Sequence, residues 1–280
     1  MFDFRPGAGP HLPVLLSAPH SGRCYPKILL EELALSIGQL QPLDDGPVDL
    51  VLEPASRHAW GLLAALLPRA WIDLNRAPGE LDPAEIEGRI PWPVAITAKV
   101  RAGLGLVPTR IGGRKLHRHP LPAEEVARRL AAVHRPFHQE LARRLEHLRA
   151  RHGVAVLLDC HSMPSASVTS SSPPVEVVVG DHHGEAASSA LGERAMAVLR
   201  RHGLRVARNR PFAGGHITRT FGRPDEGLHA LQIELRRDLF LDERHYRLHE
   251  GAAALGAAMA DVAASLGELA LRLPGRPAAA

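Results

Sequence analysis

Val154-Ala155-Val156-Leu157-Leu158-Asp159-Cys160-His161-Ser162 is the stretch that decides the fold. Its apolar half is short, partly β-branched and stops at polar residues, which predicts a fully buried central strand of an α/β sheet. Ligands in open α/β sheets bind just beyond the carboxyl ends of the strands, and His161 stands at such an end. A second segment repeats the pattern, with Val14-Leu15-Leu16-Ser17-Ala18 running into Pro19-His20-Ser21-Gly22. Two strands that each end in His-Ser give a pair of candidate imidazole metal ligands, because neutral imidazole binds zinc well and a strand end holds it rigidly.

Around this pair the composition allows a sizeable core and excludes several classes. The chain has 280 residues, 45% of them hydrophobic, enough for one large domain. Its net charge of +4 raises the question of a nucleic-acid partner. Only three of the 34 basic residues are lysines, however, and the arginines are scattered over helix faces. Aromatic content of 4% leaves few stacking platforms, so no nucleic-acid partner is expected. Cys24 and Cys160 cannot build a disulfide framework or a cysteine-rich zinc module. The N-terminus lacks a signal-peptide core and no run approaches membrane-spanning length, so a cytoplasmic protein with no membrane partner is expected.

In chain order, residues 1–12 read as a Gly/Pro-rich lead-in, and 28–37 as an amphipathic segment. Asp44, Asp45 and Asp49 then put three carboxylates within six residues around Pro47. Helix capping accounts for one of them, and another can complete a metal site. The apolar run ending in Trp71-Ile72-Asp73-Leu74-Asn75-Arg76 predicts a strand with a guanidinium at the sheet edge, where its fork suits a carboxylate. Residues 78–121 are an irregular excursion of the kind that often forms a functional lid.

Apolar residues at three-and-four spacing predict a long helix over 123–151, kinked at Pro136, with His138 a packing or capping residue beside the stripe. Residues 165–174 form a Ser/Thr/Pro loop. A strand over 175–179, a helix over 185–201 and a short strand near Val206 follow, with His182 and His183 read as polar turn residues. Strand 228–235 sets Gln232 and Glu234 on one face. A glutamate in an apolar strand is costly unless paired or functional, and here it suits a general base. A helix over 243–266 closes a catalytic domain of residues 1–266, leaving 267–280 as a partly disordered tail.

Six blocks, Pro19-His20-Ser21-Gly22, Asp45 through Val48-Asp49, Ile72-Asp73-Leu74-Asn75-Arg76, Asp159-Cys160-His161-Ser162, Pro211-Phe212-Ala213-Gly214-Gly215 and Leu231-Gln232-Ile233-Glu234-Leu235, resemble the N-formylglutamate amidohydrolase family in order and across nearly the whole chain. The resemblance implies a single-domain α/β fold, zinc-carboxypeptidase-like, with a mixed, mostly parallel central sheet flanked by helices. It also implies a divalent metal, most simply zinc, and hydrolysis of N-formyl-L-glutamate, a small-molecule substrate, in histidine catabolism. The blocks around Asn75-Arg76 and Glu234 further resemble zinc carboxypeptidases, which implies carboxylate binding by Asn75 and Arg76 and general-base catalysis by Glu234. Carboxypeptidases carry a glutamate three residues after the first histidine, where this chain has Arg23. The third ligand beside His20 and His161 is therefore expected to be Asp45, with Asp49 the alternative. Arg219 and His216 complete the expected substrate-binding set, His216 standing where the family pattern has an aromatic residue. The alternatives are a related metallo-amidase or peptidase acting on another N-acyl amino acid, which would use the same residues, and a thiol hydrolase built on Cys160, whose thiolate strand-end burial disfavours.

Overall fold

The structure is a computed structural model that describes residues 1–8, 12–168 and 174–273. Seven strands make the central sheet: β1 (Phe2–Pro6), β2 (Val14–Ala18), β3 (Gly61–Ala65), β4 (Ala155–Met163), β5 (Val177–Gly180), β6 (Val206–Arg208) and β7 (Leu228–Arg236). Their order across the sheet is β1-β3-β2-β4-β7-β5-β6. Pairings β2 with β3, β2 with β4, β4 with β7 and β5 with β6 are parallel, while β1 with β3 and β5 with β7 are antiparallel. This is the mixed, mostly parallel α/β sheet expected from the central apolar strands.

Both faces of the sheet are covered, as parallel strands require. Val156, Leu158 and Cys160 of β4 point into one core, with helices α2 (Ser189–Arg201) and α4 (Gly251–Ala270) packed over it. Ala155 and Leu157 point into the other, against Phe137, Leu141, Leu145 and Leu148 of α1 (Arg135–His152). On that second face the two-residue period carries apolar side chains only halfway. In β4 it runs Ala155, Leu157, Asp159, His161, and in β7 it runs Leu228, Ala230, Gln232, Glu234. The polar halves lie side by side at the carboxyl ends, and this asymmetry places the site.

Several elements differ from the sequence reading for identifiable reasons. Strand β4 continues through Met163, so His161 lies within the ladder, because parallel β7 pairs with it over nine residues. Phe2–Pro6 is a strand rather than a lead-in, since β3 offers it an open antiparallel edge. Residues 71–76 form turns and no strand; Trp71, Ile72 and Leu74 are buried by packing alone. The helix expected over 123–151 contains a π turn at Leu130–His134, just ahead of Pro136. Proline has no N–H to give Ala132 and its ring crowds that carbonyl, so the backbone widens there.

Helix α2 starts at Ser189 and α4 at Gly251, later than expected, because short turns and a two-stranded hairpin of Leu241–Asp242 with Arg247–Leu248 intervene. Helix α4 is long and apolar enough to cross a membrane by length and composition, a point the sequence reading missed, but its Leu255, Met259, Val262 and Leu266 are core residues on the sheet. The Ser/Thr/Pro loop lies outside the described residues at 169–173, as does the tail at 274–280.

Candidate metal centre and active site

His20 follows β2 by two residues, Asp45 comes from the next loop, and His161 rises from β4. Their ligand atoms meet: His161 Nδ1 lies 3.2 Å from His20 Nδ1 and 2.9 Å from Asp45 Oδ2, and His20 Nδ1 lies 3.3 Å from the same oxygen. Four atoms held tetrahedrally at zinc-ligand lengths are about 3.3 Å apart, so the triangle has the edge a small divalent cation requires. The other ring nitrogens fix the tautomers. His20 Nε2 donates to Asp73 Oδ1 at 2.7 Å and His161 Nε2 donates to Asp159 Oδ2 at 3.0 Å. A carboxylate only accepts, so both Nε2 atoms carry the proton and both Nδ1 lone pairs face Asp45. Three acceptors converging in a buried space fit a metal ion and repel one another without a positive charge between them.

The loop that delivers Asp45 is fixed at its backbone. Its N–H donates to His20 O and its carbonyl accepts Ser162 Oγ–H at 2.7 Å. Gly46 follows at φ 71°, a left-handed turn that glycine makes without strain. Burial works against ionising Asp45, but His20 and His161 outweigh it and hold its carboxyl well below the usual range. Burial likewise opposes charge on His161, yet Asp159 and Asp45 hold its pKa well above the ordinary value, so that without a metal a proton on Nδ1 takes the cation's place and a bound ion would displace it. Asp49 is elsewhere: Arg23 donates to it at 2.7 and 3.1 Å and Arg5 at 3.0 Å. The arginine that replaces the carboxypeptidase glutamate thus neutralises the other candidate ligand.

Asp73 is fully buried and accepts three bonds, from His20 Nε2, Asn75 N–H and Arg69 Nε. Burial alone would raise its pKa, but Arg69 and His20 hold it well below the usual value. Asp73→Asn is expected to weaken metal binding by about 10- to 100-fold, the scale for losing a partner that orients a ligating histidine. Chelator competition measures this, and unchanged affinity would separate Asp73 from the metal centre.

Glu234 stands next to His161 in the β4-β7 register. Gln232 Nε2 donates to its Oε1 at 2.8 Å, and burial pushes its pKa up to about 7, with His161 pulling the other way. A cavity of about 520 Å³ opens over His20, Asp45, His161 and Glu234, walled by the irregular 78–121 segment and by Phe212 to Gly215. Arg76 lines it, giving Nε to Leu104 O and Nη1 to Asn75 O, both at 2.8 Å. Among the described residues its Nη2 has no partner and remains for a ligand. Asn75 is committed: Oδ1 accepts Ile217 N–H at 2.8 Å, and Nδ2 lies 3.1 Å from His161 Nε2. A Cβ on Gly215 would come within 2.3 Å of that amide, so only glycine fits there.

Arg219 and His216 are not brought to this cavity. Both belong to the short helix α3 (His216–Phe221), which leaves Arg219 on the exposed side, where its Nε bonds His182 Nε2, and packs His216 against His134 and His138. His134 and His138 donate from Nε2 to the carbonyls of Arg76 and Leu74, both at 2.8 Å, and so hold the turn that carries Asn75. Burial drops both pKa values to about 4, so these rings are neutral clamps at pH 7. With His216 they form a second histidine trio. The rings of His134 and His138 stack at an interplanar angle of 19° and those of His138 and His216 tilt at 46°, and this trio lacks the carboxylate that Asp45 gives the first. Cys160 faces the opposite core, where burial raises its thiol pKa well above the ordinary value, as a thiolate mechanism does not allow.

Arg69, Lys99 and Arg237 also line the cavity, and sequence reasoning missed all three. Arg69 stands two residues before the apolar run quoted for its motif, a spacing that could have flagged it. Arg237 is a brace, donating to Ser162 Oγ at 3.0 Å and to Asp44 O at 2.7 Å.

Residues 12–241 match the family described as N-formylglutamate amidohydrolase. The N-formylglutamate deformylase of Pseudomonas aeruginosa is 32% identical over 243 residues, covering 83% of this chain and 84% of that protein. The protein of the same name from Pseudomonas putida is 31% identical over 238 residues, covering 83% of each. The crystal structure of N-formylglutamate amidohydrolase from Ralstonia eutropha superposes with a TM-score of 0.91 at 32% identity, over 97% of this chain and 98% of that one. A gene product of Agrobacterium tumefaciens at 20% identity and a TM-score of 0.61 shares the fold. A match over most of the sequence, with relatives above 30% identity on both sides of it, means that this chain belongs to the N-formylglutamate amidohydrolase family.

Proposed function

We propose that the chain hydrolyses N-formyl-L-glutamate to formate and L-glutamate, with a divalent metal, most simply zinc, held by His20, Asp45 and His161. The observation that carries this reading is the convergence of His20 Nδ1, His161 Nδ1 and Asp45 Oδ2 beside Glu234 in a cavity that Arg76 lines. When bound, the ion supplies Lewis acidity and lowers the pKa of water. Glu234 takes the proton of the water that attacks the formyl carbon and delivers it to the amide nitrogen as the C–N bond breaks, leaving formate and a free amine. Arg76 grips a substrate carboxylate through its free Nη2, with Arg69 beside it. Asp159 orients His161, and Asn75 holds α3 against the turn through Ile217 N–H. The same reading carries the role in histidine catabolism, in the cytoplasm, that the family resemblance implies.

Arg76→Ala is expected to raise KM for N-formyl-L-glutamate by roughly ten- to hundredfold, since a hydrogen bond to a charged group contributes about 1.5–3 kcal/mol. Arg76→Lys does not restore it, because an ammonium cannot hold the Leu104 and Asn75 carbonyls and still present a fixed donor to the substrate. Formyl compounds without a carboxylate change little. Equal loss on charged and neutral substrates would make Arg76 a structural residue and remove the recognition argument.

A further inference from the structure

The cations that line the cavity differ in what they already hold. Arg237 gives its guanidinium to Ser162 and to backbone carbonyls, Arg69 bonds Asp73 and Leu43 O, and Arg110 bonds Glu85 at 3.0 Å. Arg76 is half committed to backbone. Lys99 alone among them has no hydrogen-bond or ion-pair partner among the described residues; its Nζ lies 6.0 Å from the centroid of the Phe212 ring, which also lines the cavity. It sits on the single helical turn Ala98–Arg101 of the excursion, directly after the Thr97 cap whose hydroxyl accepts Val100 N–H and donates to Glu80. That cap fixes where the lysine stem leaves the backbone.

Burial and the positive charges of Arg76 and Arg69 depress the Lys99 pKa. Like charges kept facing one cavity without a counter-ion are unfavourable, and an anion between them relieves the repulsion. A substrate with two carboxylates presents two such anions on one short stem. Arg76, on the 71–76 turn, takes one of them under the proposed reading, which leaves Lys99, on the irregular segment, as a second cation without an anion.

We infer that Lys99 is the specificity-determining residue that receives the side-chain carboxylate of the substrate, and so selects acidic N-formyl amino acids over neutral ones. This inference rests on the deformylase reading above. Lysine suits the task, because a point charge on a flexible stem can follow a side-chain carboxylate whose position varies, whereas Arg76, fixed by the Leu104 and Asn75 carbonyls, suits a fixed one. The excursion then sets the substrate's side chain, and the sheet ends set its formyl group.

The test compares kcat/KM of the metal-loaded parent, Lys99→Met and Lys99→Arg on N-formyl-L-glutamate and on N-formyl-L-glutamine, which matches it in shape but lacks the charge. The parent is expected to prefer the acid. Lys99→Met should lower that preference by about ten- to hundredfold, through KM and not kcat, with Lys99→Arg recovering most of it. A parent that prefers the acid while Lys99→Met keeps the same ratio, or loses both substrates equally, overturns the role of Lys99 and leaves the deformylase reading intact. A parent that cleaves both substrates without preference overturns the role of Lys99 alone, and a parent that cleaves neither overturns the deformylase reading.

Discussion

His161→Ala protein is expected to purify without metal and without measurable formate release. The argument is one of coordination: two remaining ligands cannot hold a zinc-like ion that needs three protein donors, and the loss must exceed the roughly 10- to 100-fold that a mere orienting partner costs. His161 is central in the β4-β7 ladder, so a failure of this variant could reflect folding. His20→Ala avoids that difficulty, because His20 lies beyond the end of β2. Metal analysis of both variants, beside circular dichroism, makes the check. Asp49→Ala serves as the contrast: it strands Arg5 and Arg23 and lowers Tm, yet keeps about one ion per chain. Retained metal and full activity in both histidine variants would overturn the site.

Glu234→Gln is expected to keep its metal and its substrate affinity while kcat falls by roughly 10²–10⁴, the range for a positioned acid-base group. Packing survives because the glutamine oxygen can still accept the Gln232 amide hydrogen. The sign of the pH dependence follows from the same carboxylate. Only its ionised form takes a proton, so kcat/KM should rise with pH through the Glu234 pKa and level off above it. Burial sets that pKa at about 7, and a cation bound beside it stabilises the carboxylate, so the rising limb should appear at or below pH 7. The limb should be missing in Glu234→Gln. A variant with near-normal turnover would move the base elsewhere.

Much of this site was legible in the sequence for a simple reason. His161 and Glu234 stand at the carboxyl ends of apolar runs, and the two-residue period of a strand puts them on one face, whereas His20 follows β2 through a turn and only the fold brings it to them. Asp45 was readable as one of two candidates, and only the fold could choose, since Arg23 and Arg5 reach Asp49 from segments distant in sequence. Arg219 and His216 were misplaced because a six-residue helix carries no periodicity that reveals which way it turns, and Gly215 at its start lets it pack hard against Asn75. Lys99 was invisible: it lies in a segment without a strand or heptad pattern, and its meaning depends on what its neighbours already hold. The π turn before Pro136 shows the same limit, since proline forecasts a disturbance without saying whether the helix will kink or widen.

The most direct test of the whole account is formate release from N-formyl-L-glutamate by the purified protein, followed through removal of metal by a chelator and its return as zinc. The account predicts that activity disappears with the ion and comes back when about one equivalent per chain is restored. Undiminished formate release from protein shown to be metal-free would contradict it.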